Sequence, residues 1–218
     1  MCIPWPKVNG LPIGAGKVRV GVLALQGDYS LHEARLAEFG AAPVQVRRPE
    51  MLKSVQALVL PGGESTTLLR LLDPAMRALL CEMIASGLPT LATCAGLIIL
   101  AKGVTNPTQD SLALIDVDVK RNAYGRQVDS FIDPTLRWTS AGDIERQKIP
   151  HAAGDSPTIE GVFIRAPRIT RVGAPASVLV ERGTEPVLIK QGSVLGATFH
   201  PELSKTALDV HQLLLAYV

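Results

Sequence analysis

A chain of 218 residues has room for one domain with a sizeable core, and its 22 basic and 20 acidic side chains leave a net charge of only +2. That near balance, with no long run of one sign, argues against nucleic acid or an anionic membrane as a partner. The composition is 47% hydrophobic but only 4% aromatic. Leu, Val, Ala and Ile therefore carry the core, which suits the apolar strands of a buried parallel sheet.

The three cysteines, Cys2, Cys81 and Cys94, are odd in number and widely spaced. That argues against a disulfide framework and against a zinc site, and it favours a reducing, cytoplasmic setting. No apolar run reaches the roughly 20 residues needed to cross a bilayer. Residues 1–17 contain Pro4, Pro6 and Pro12 but lack the basic start and apolar stretch of a signal peptide. They read as an irregular extension, leaving 18–218 as a single domain.

In chain order, Val18 to Gln26 is an apolar, β-rich run that stops at Gly27. A helix follows, opened by capping-box spacing from Ser30 to Glu33 and closed near Gly40. Pro43 to Val46 and Ala57 to Leu60 read as strands, the latter stopped by Pro61-Gly62-Gly63. Thr66 to Leu72 and Pro74 to Ser86 read as helices, Thr90 to Thr93 as a strand, and Ala95 to Ala101 as a buried helix. This alternation predicts an α/β fold with a mostly parallel central sheet flanked by helices. After Lys102 the pattern turns to strands at 112–119, 128–131, 162–164, 178–180, 187–190 and 194–198. These are expected as antiparallel additions to the core sheet. Residues 137–157 read as a long polar surface loop, and Thr206 to Tyr217 as a final helix.

Chemistry concentrates in three places. Thr90-Leu91-Ala92-Thr93-Cys94-Ala95-Gly96 runs from strand into helix with small residues on both sides of the cysteine. A nucleophile on a sharp strand-to-helix turn needs such neighbours, because the backbone there is crowded and strained. The turn also sets Cys94 at a helix N-terminus, where partial positive charge favours an anionic sulfur. Taken alone, a buried core cysteine is as good a reading. His200-Pro201-Glu202 follows an apolar strand. His200 is suited to take the thiol proton and later protonate the leaving group, with Glu202 orienting the imidazole; an ordinary surface turn is the plain alternative. Pro61-Gly62-Gly63-Glu64-Ser65-Thr66-Thr67 follows a strand. Its backbone N–H groups, with that of Ala95, are candidates to hold an oxyanion, and Glu64 and Ser65 to bind a polar substrate. A phosphate-binding loop is the rival there, but the lysine of a P-loop is missing.

The combination of Pro61-Gly62-Gly63, Thr93-Cys94-Ala95-Gly96 and His200-Pro201-Glu202 resembles the class I, triad-type glutamine amidotransferases, whose sheet is flavodoxin-like. More narrowly, the chain resembles the glutaminase subunits of pyridoxal 5′-phosphate synthases. That match rests on Gly21 to Asp28, Gly62 to Thr67, Arg121-Asn122-Ala123-Tyr124-Gly125-Arg126-Gln127 and Phe163-Ile164-Arg165-Ala166-Pro167, in the family's order. The resemblance implies that Cys94 attacks the side-chain amide of L-glutamine and forms a glutamyl thioester. His200 would be the acid–base and Glu202 its partner, with Gly63 and Ala95 as oxyanion donors. Gly63, Glu64, Ser65, Arg121, Ile164 and Arg165 would bind the substrate. No cofactor and no metal is implied. Ammonia would pass to a (β/α)8-barrel synthase subunit for vitamin B6 synthesis, and the Gly62-Gly63 turn would switch on docking. Three features depart from the family: Ala92 in place of its usual glycine, a longer stretch at 137–157, and the extension at 1–17.

Competing readings remain at this level. The triad alone does not separate this glutaminase from one feeding another acceptor, such as the histidine-pathway enzyme. A non-catalytic binding subunit on the same fold gains weight from Ala92. A cysteine hydrolase or redox sensor would need a reactive thiol without an amino-acid pocket.

Overall fold

The computed structural model describes residues 16–149, 157–204, 207 and 209–218. Nearly all of the expected N-terminal extension, and the tip of the 137–157 stretch, lie outside these residues.

The first half alternates as the apolar runs predict: β1 (Arg19–Leu23), α1 (Tyr29–Glu38), β2 (Ala42–Val46), α2 (Pro49–Leu52), β3 (Ala57–Leu60), α3 (Ser65–Leu71), α4 (Pro74–Ala85), β4 (Thr90–Thr93) and α5 (Ala95–Leu100). The second half holds β5 (Ala101–Thr105), β6 (Ile115–Lys120), β7 (Phe131–Trp138), α6 (Ser140–Arg146), β8 (Thr158–Phe163), β9 (Arg168–Val172), β10 (Ser177–Arg182), β11 (Glu185–Gln191), β12 (Val194–Ala197) and α7 (Asp209–Leu215). Short 3-10 turns lie at Gln127–Asp129 and Pro201–Leu203.

A nine-stranded mixed sheet runs β2-β1-β3-β4-β12-β11-β10-β7-β8. The ladders from β2 to β12 are parallel, and those from β12 to β8 antiparallel. β3, β4 and β12 are buried at every position, because helices cover both faces of the parallel half. Alternation splits their side chains: Leu58 and Leu60 join the cluster that includes α4 and α5 residues. Ala57 and Val59 join the opposite one, with Leu36 of α1 and Leu213 of α7.

β12 decides where the site forms. It enters the sheet beside β4 in parallel, with Ala197 opposite Thr93, and the Cys94 N–H donates to the Ala197 carbonyl at 2.9 Å. The segments after β4 and β12 therefore leave the sheet at the same edge, though they are far apart in the chain.

Several elements differ from expectation. Within 137–157, Arg137 and Trp138 complete β7 and Ser140–Arg146 is helix α6, so the stretch is not one loop. Thr139 caps that helix by accepting the Gly142 N–H at 3.1 Å. α1 starts at Tyr29 after Asp28, without a side-chain cap. Glu33 does not complete a capping box but accepts from Gln45 Nε2 at 3.2 Å. The expected strand at 128–131 is a 3-10 turn that leads into β7. β5, β6 and β9 form a separate three-stranded sheet rather than an extension of the large one.

Candidate active site

The elbow forms where β4 stops and α5 starts with no intervening loop. Cys94 takes that turn with φ 46° and ψ −100°, a backbone state costly for a residue with a Cβ. The packing on both sides sustains it: every residue of β4 and α5 is buried. Gly96 is needed for close approach, since a Cβ there would lie 2.2 Å from the Leu60 carbonyl oxygen. Ala92 is fully buried, paired with Leu60 on one side and Gly196 on the other, so its methyl is housed in the core and the elbow forms around it.

His200 arrives from β12, anchored by its N–H to the Val162 carbonyl at 2.9 Å. Its Nδ1 lies 2.6 Å from Oε1 of Glu202, which leaves Nε2 for the thiol. Burial opposes a charge on this imidazole, but its bonds to Cys94 and Glu202 outweigh that and raise its pKa well above the usual value. Burial likewise opposes the Glu202 carboxylate, yet the bonded His200 imidazolium holds its pKa below the ordinary value. His200 and Glu202 thus favour an imidazolium–carboxylate pair beside the sulfur.

The Gly62-Gly63 turn lies against this pair. A Cβ on Gly62 would lie 2.4 Å from His200 Cε1, so only glycine lets the imidazole pack there. Gly63 has φ +137°, a conformation that side chains rarely adopt. The Gln26 side chain packs on Gly63 and its Oε1 accepts the Glu64 N–H at 3.1 Å. Glu64 caps α3, accepting from the N–H groups of Thr66 and Thr67 at 3.1 and 2.7 Å. Despite burial, those bonds hold its pKa at about 2. Arg121, delivered by the end of β6, donates to Glu64 Oε1 at 3.1 Å. The Ser65 hydroxyl donates to Gln109 Oε1 at 2.9 Å.

A cavity of about 200 Å³ opens over the sulfur, and its wall includes Gly63, Glu64, Ser65, Cys94, Arg121, Ile164, Arg165 and His200. The structure thus gathers these sequence-predicted side chains in one place. Glu202 lies behind His200 rather than in the wall, and Ala95 is buried as the first residue of α5. Arg165, at φ 46°, is tied by its Nη2 to Asn122 Oδ1 at 3.3 Å. Asp28, Ile98 and Asn122 also line the cavity. Asp28 and Asn122 stood within the motif stretches. Ile98 was detectable as the residue one helical turn beyond Cys94. Gln26, also within the Gly21 to Asp28 stretch, and Gln109 act from behind the wall, and no local signal marks Gln109.

Comparison with known proteins now bears on this geometry. The family model described as the SNO glutamine amidotransferase family matches residues 22–218. The chain belongs to that family. It is 47% identical over 200 residues to a protein of Solibacter usitatus named pyridoxal 5′-phosphate synthase subunit PdxT, covering 91% of this chain and 98% of that one. A protein of the same name from Thermotoga maritima is 44% identical, covering 86% and 93%. A crystal structure of a glutamine amidotransferase superposes with a TM-score of 0.78 at 38% identity, covering 91% of this chain and 97% of that one. As a family member, the chain shares the α/β fold with a large mixed sheet, and its cavity sits at the carboxyl edge of the parallel strands. Among the described residues, no helix is long and apolar enough to cross a membrane.

Proposed function

We propose that this chain is a glutaminase subunit that hydrolyses L-glutamine through Cys94, His200 and Glu202 and supplies the ammonia to a pyridoxal 5′-phosphate synthase. The observation that carries the reading is the strained Cys94 beside a bonded His200–Glu202 pair, in a cavity lined by two carboxylates, Asp28 and Glu64, and two guanidinium groups, Arg121 and Arg165. Glu64 suits the α-ammonium group of an amino acid, while Arg121 and Arg165 suit its α-carboxylate. An anionic Glu64 in the wall also makes this turn a poor phosphate site.

The placement supports the following steps. The sulfur attacks the side-chain amide carbon while His200 holds the thiol proton. N–H groups of Gly63 and Ala95 stabilise the tetrahedral oxyanion. Collapse breaks the C–N bond as His200 protonates the nitrogen, releasing ammonia and leaving the glutamyl thioester. His200 then takes a proton from water, hydroxide adds to the thioester, and glutamate leaves as the thiol reforms. The sum is glutamine plus water giving glutamate plus ammonia, with no cofactor consumed.

The relatives' shared name favours a synthase partner over another acceptor. We assign that partner to a (β/α)8-barrel subunit, the setting to the cytoplasm, and residues 18–218 to one amidotransferase domain. The test is glutamate release from glutamine with and without that subunit, for wild type and Cys94→Ala. Release that rises with the subunit and vanishes in the variant is expected. No release from a mixture shown to form the complex would return the chain to a binding role.

A further inference from the structure

Behind the triad lies a pair of histidines that the proposed chemistry does not use. His32 of α1 and His211 of α7 are fully buried, where an apolar side chain would pack at less desolvation cost. Their rings meet with Nδ1 of His32 2.9 Å from Nε2 of His211. The other nitrogen of His32, Nε2, lies 3.3 Å from Oε2 of Glu202 and 3.3 Å from Oγ1 of Thr93, the residue before the nucleophile. Oε2 is the carboxylate oxygen that His200 leaves unused, and it has no well-aligned donor among the described residues. α1 also grips the same turn a second time, as Arg35 Nε donates to the Glu202 main-chain carbonyl at 3.2 Å.

Hydrogen bonding selects one arrangement of protons. If His32 carried its proton on Nδ1, its Nε2 could accept from the Thr93 hydroxyl but would turn a lone pair toward the Glu202 carboxylate, and the buried His211 Nδ1–H would lack an acceptor, since that atom has no partner. With the proton on Nε2, His32 directs its N–H to Thr93 Oγ1 and the neighbouring Glu202 Oε2 and accepts from His211 Nε2–H, and no buried donor of either ring goes unused. Both rings are neutral at neutral pH. Burial lowers the pKa of His32, with Glu202 and Asp28 opposing and His200 reinforcing. Burial lowers that of His211 to about 3, with His32 and Arg35 reinforcing and Glu202 opposing.

We propose that His32 is a positioning residue for the triad: its Nε2–H, 3.3 Å from both Thr93 Oγ1 and Glu202 Oε2, turns its positive end toward the outer oxygen of Glu202, and His211 holds His32 in the tautomer that does so. The role rests on the triad reading above. The ring moves no proton in the reaction. It keeps Glu202 ionised and turned toward His200, and through His200 it sets how readily the thiol of Cys94 gives up its proton.

The test is glutamine hydrolysis by the chain saturated with the synthase subunit, with the pH dependence of Cys94 alkylation by iodoacetamide measured in parallel. Turnover that vanishes in Cys94→Ala supports the triad reading; turnover that survives there sinks that reading and the positioning role together. With that control satisfied, His32→Leu is expected to lower kcat by roughly tenfold to a hundredfold at nearly unchanged KM. The rise of Cys94 alkylation should move up by about one pH unit, because an unsupported Glu202 stabilises the imidazolium less. His32→Gln, whose amide N–H falls near the ring Nε2, should restore most of both. A folded His32→Leu with wild-type kcat and alkylation overturns the proposal. So does a loss that is equal in Leu and Gln, follows the melting temperature and leaves the alkylation profile in place. Should His32→Leu fail to fold, nitrogen NMR of the histidine-labelled wild type decides. A neutral His32 protonated at Nε2 is expected, and protonation at Nδ1 overturns the role.

Discussion

Cys94, His200 and Glu202 are at most 6% exposed, whereas the Glu64 side chain is 43% exposed and Arg165 lies at the surface. The two groups are also held differently. The reacting side chains leave neighbouring buried strands, β4 and β12, whose register is tied by main-chain hydrogen bonds. The recognition side chains come from a helix cap, from the end of a strand in the small second sheet, and from the turn between β8 and β9. Chemistry thus sits wholly on buried sheet edges, and substrate recognition on a mixed wall in which Ser65 and Arg121 are buried while Glu64 and Arg165 reach solvent. Substitutions on the two sides should therefore separate turnover from binding.

The largest effect is expected on the buried side. Glu202→Gln keeps the shape but removes the charge that sustains the His200 imidazolium. The kcat for glutamine should fall by roughly 10²- to 10⁴-fold with little change in KM. Among the recognition groups, Arg121→Gln removes a largely buried guanidinium from the cavity wall without touching the sulfur. Here KM should rise by roughly tenfold to a hundredfold, the worth of one charge-assisted contact, while kcat stays within a few-fold. Steady-state kinetics of both variants in the synthase complex check the contrast. An Arg121→Gln that loses kcat and keeps KM would break it.

The buried side should also govern stability in acid. His211 has a folded pKa near 3, below its ordinary value. The depressed pKa means that the unfolded chain binds the proton first. Its contribution is fully present above about pH 6.5 and is lost as pH falls toward 3. At pH 5 this amounts to about 2 kcal/mol less stability than at neutral pH. Glu202, whose pKa is also lowered, adds a further loss below about pH 4.5. Denaturant unfolding at pH 7 and pH 5 measures the drop, and His211→Phe should reduce it, leaving the share that the likewise lowered His32 contributes. An equal drop in both proteins would place the acid sensitivity elsewhere.

The same contrast explains what the sequence made legible. The elbow at Cys94 is a local pattern, an apolar strand, small residues and an apolar helix, so its neighbours announce it. His200 and Glu202 were visible as a motif, but their meeting with Cys94 depends on β12 docking beside β4, which no local pattern states. α6 escaped notice because its seven residues, SAGDIER, carry little apolar periodicity. β9 was missed because RITRV alternates weakly and is mostly exposed. The contact of His32 with His211 spans 179 positions, and each histidine alone reads as an ordinary helix residue.

The smallest effect is expected at Ala92, the position where the sequence departs from the family's usual glycine. Its methyl is fully buried beside Leu60 and Gly196, and the positive φ of the elbow falls on Cys94 instead. Ala92 therefore sits in ordinary strand backbone, where glycine gains nothing sterically and loses both chain stiffness and a packed methyl. Ala92→Gly should lower stability by about 0.5–1 kcal/mol from the backbone term, plus a smaller loss of packing. Glutamine turnover should stay within about twofold, since the methyl belongs to the apolar core cluster rather than to the cavity wall. Thermal unfolding and kcat together check this. A large rise in kcat on restoring glycine would mean that the methyl strains the elbow through the backbone, and that the buried side of the site is less rigid than its packing implies.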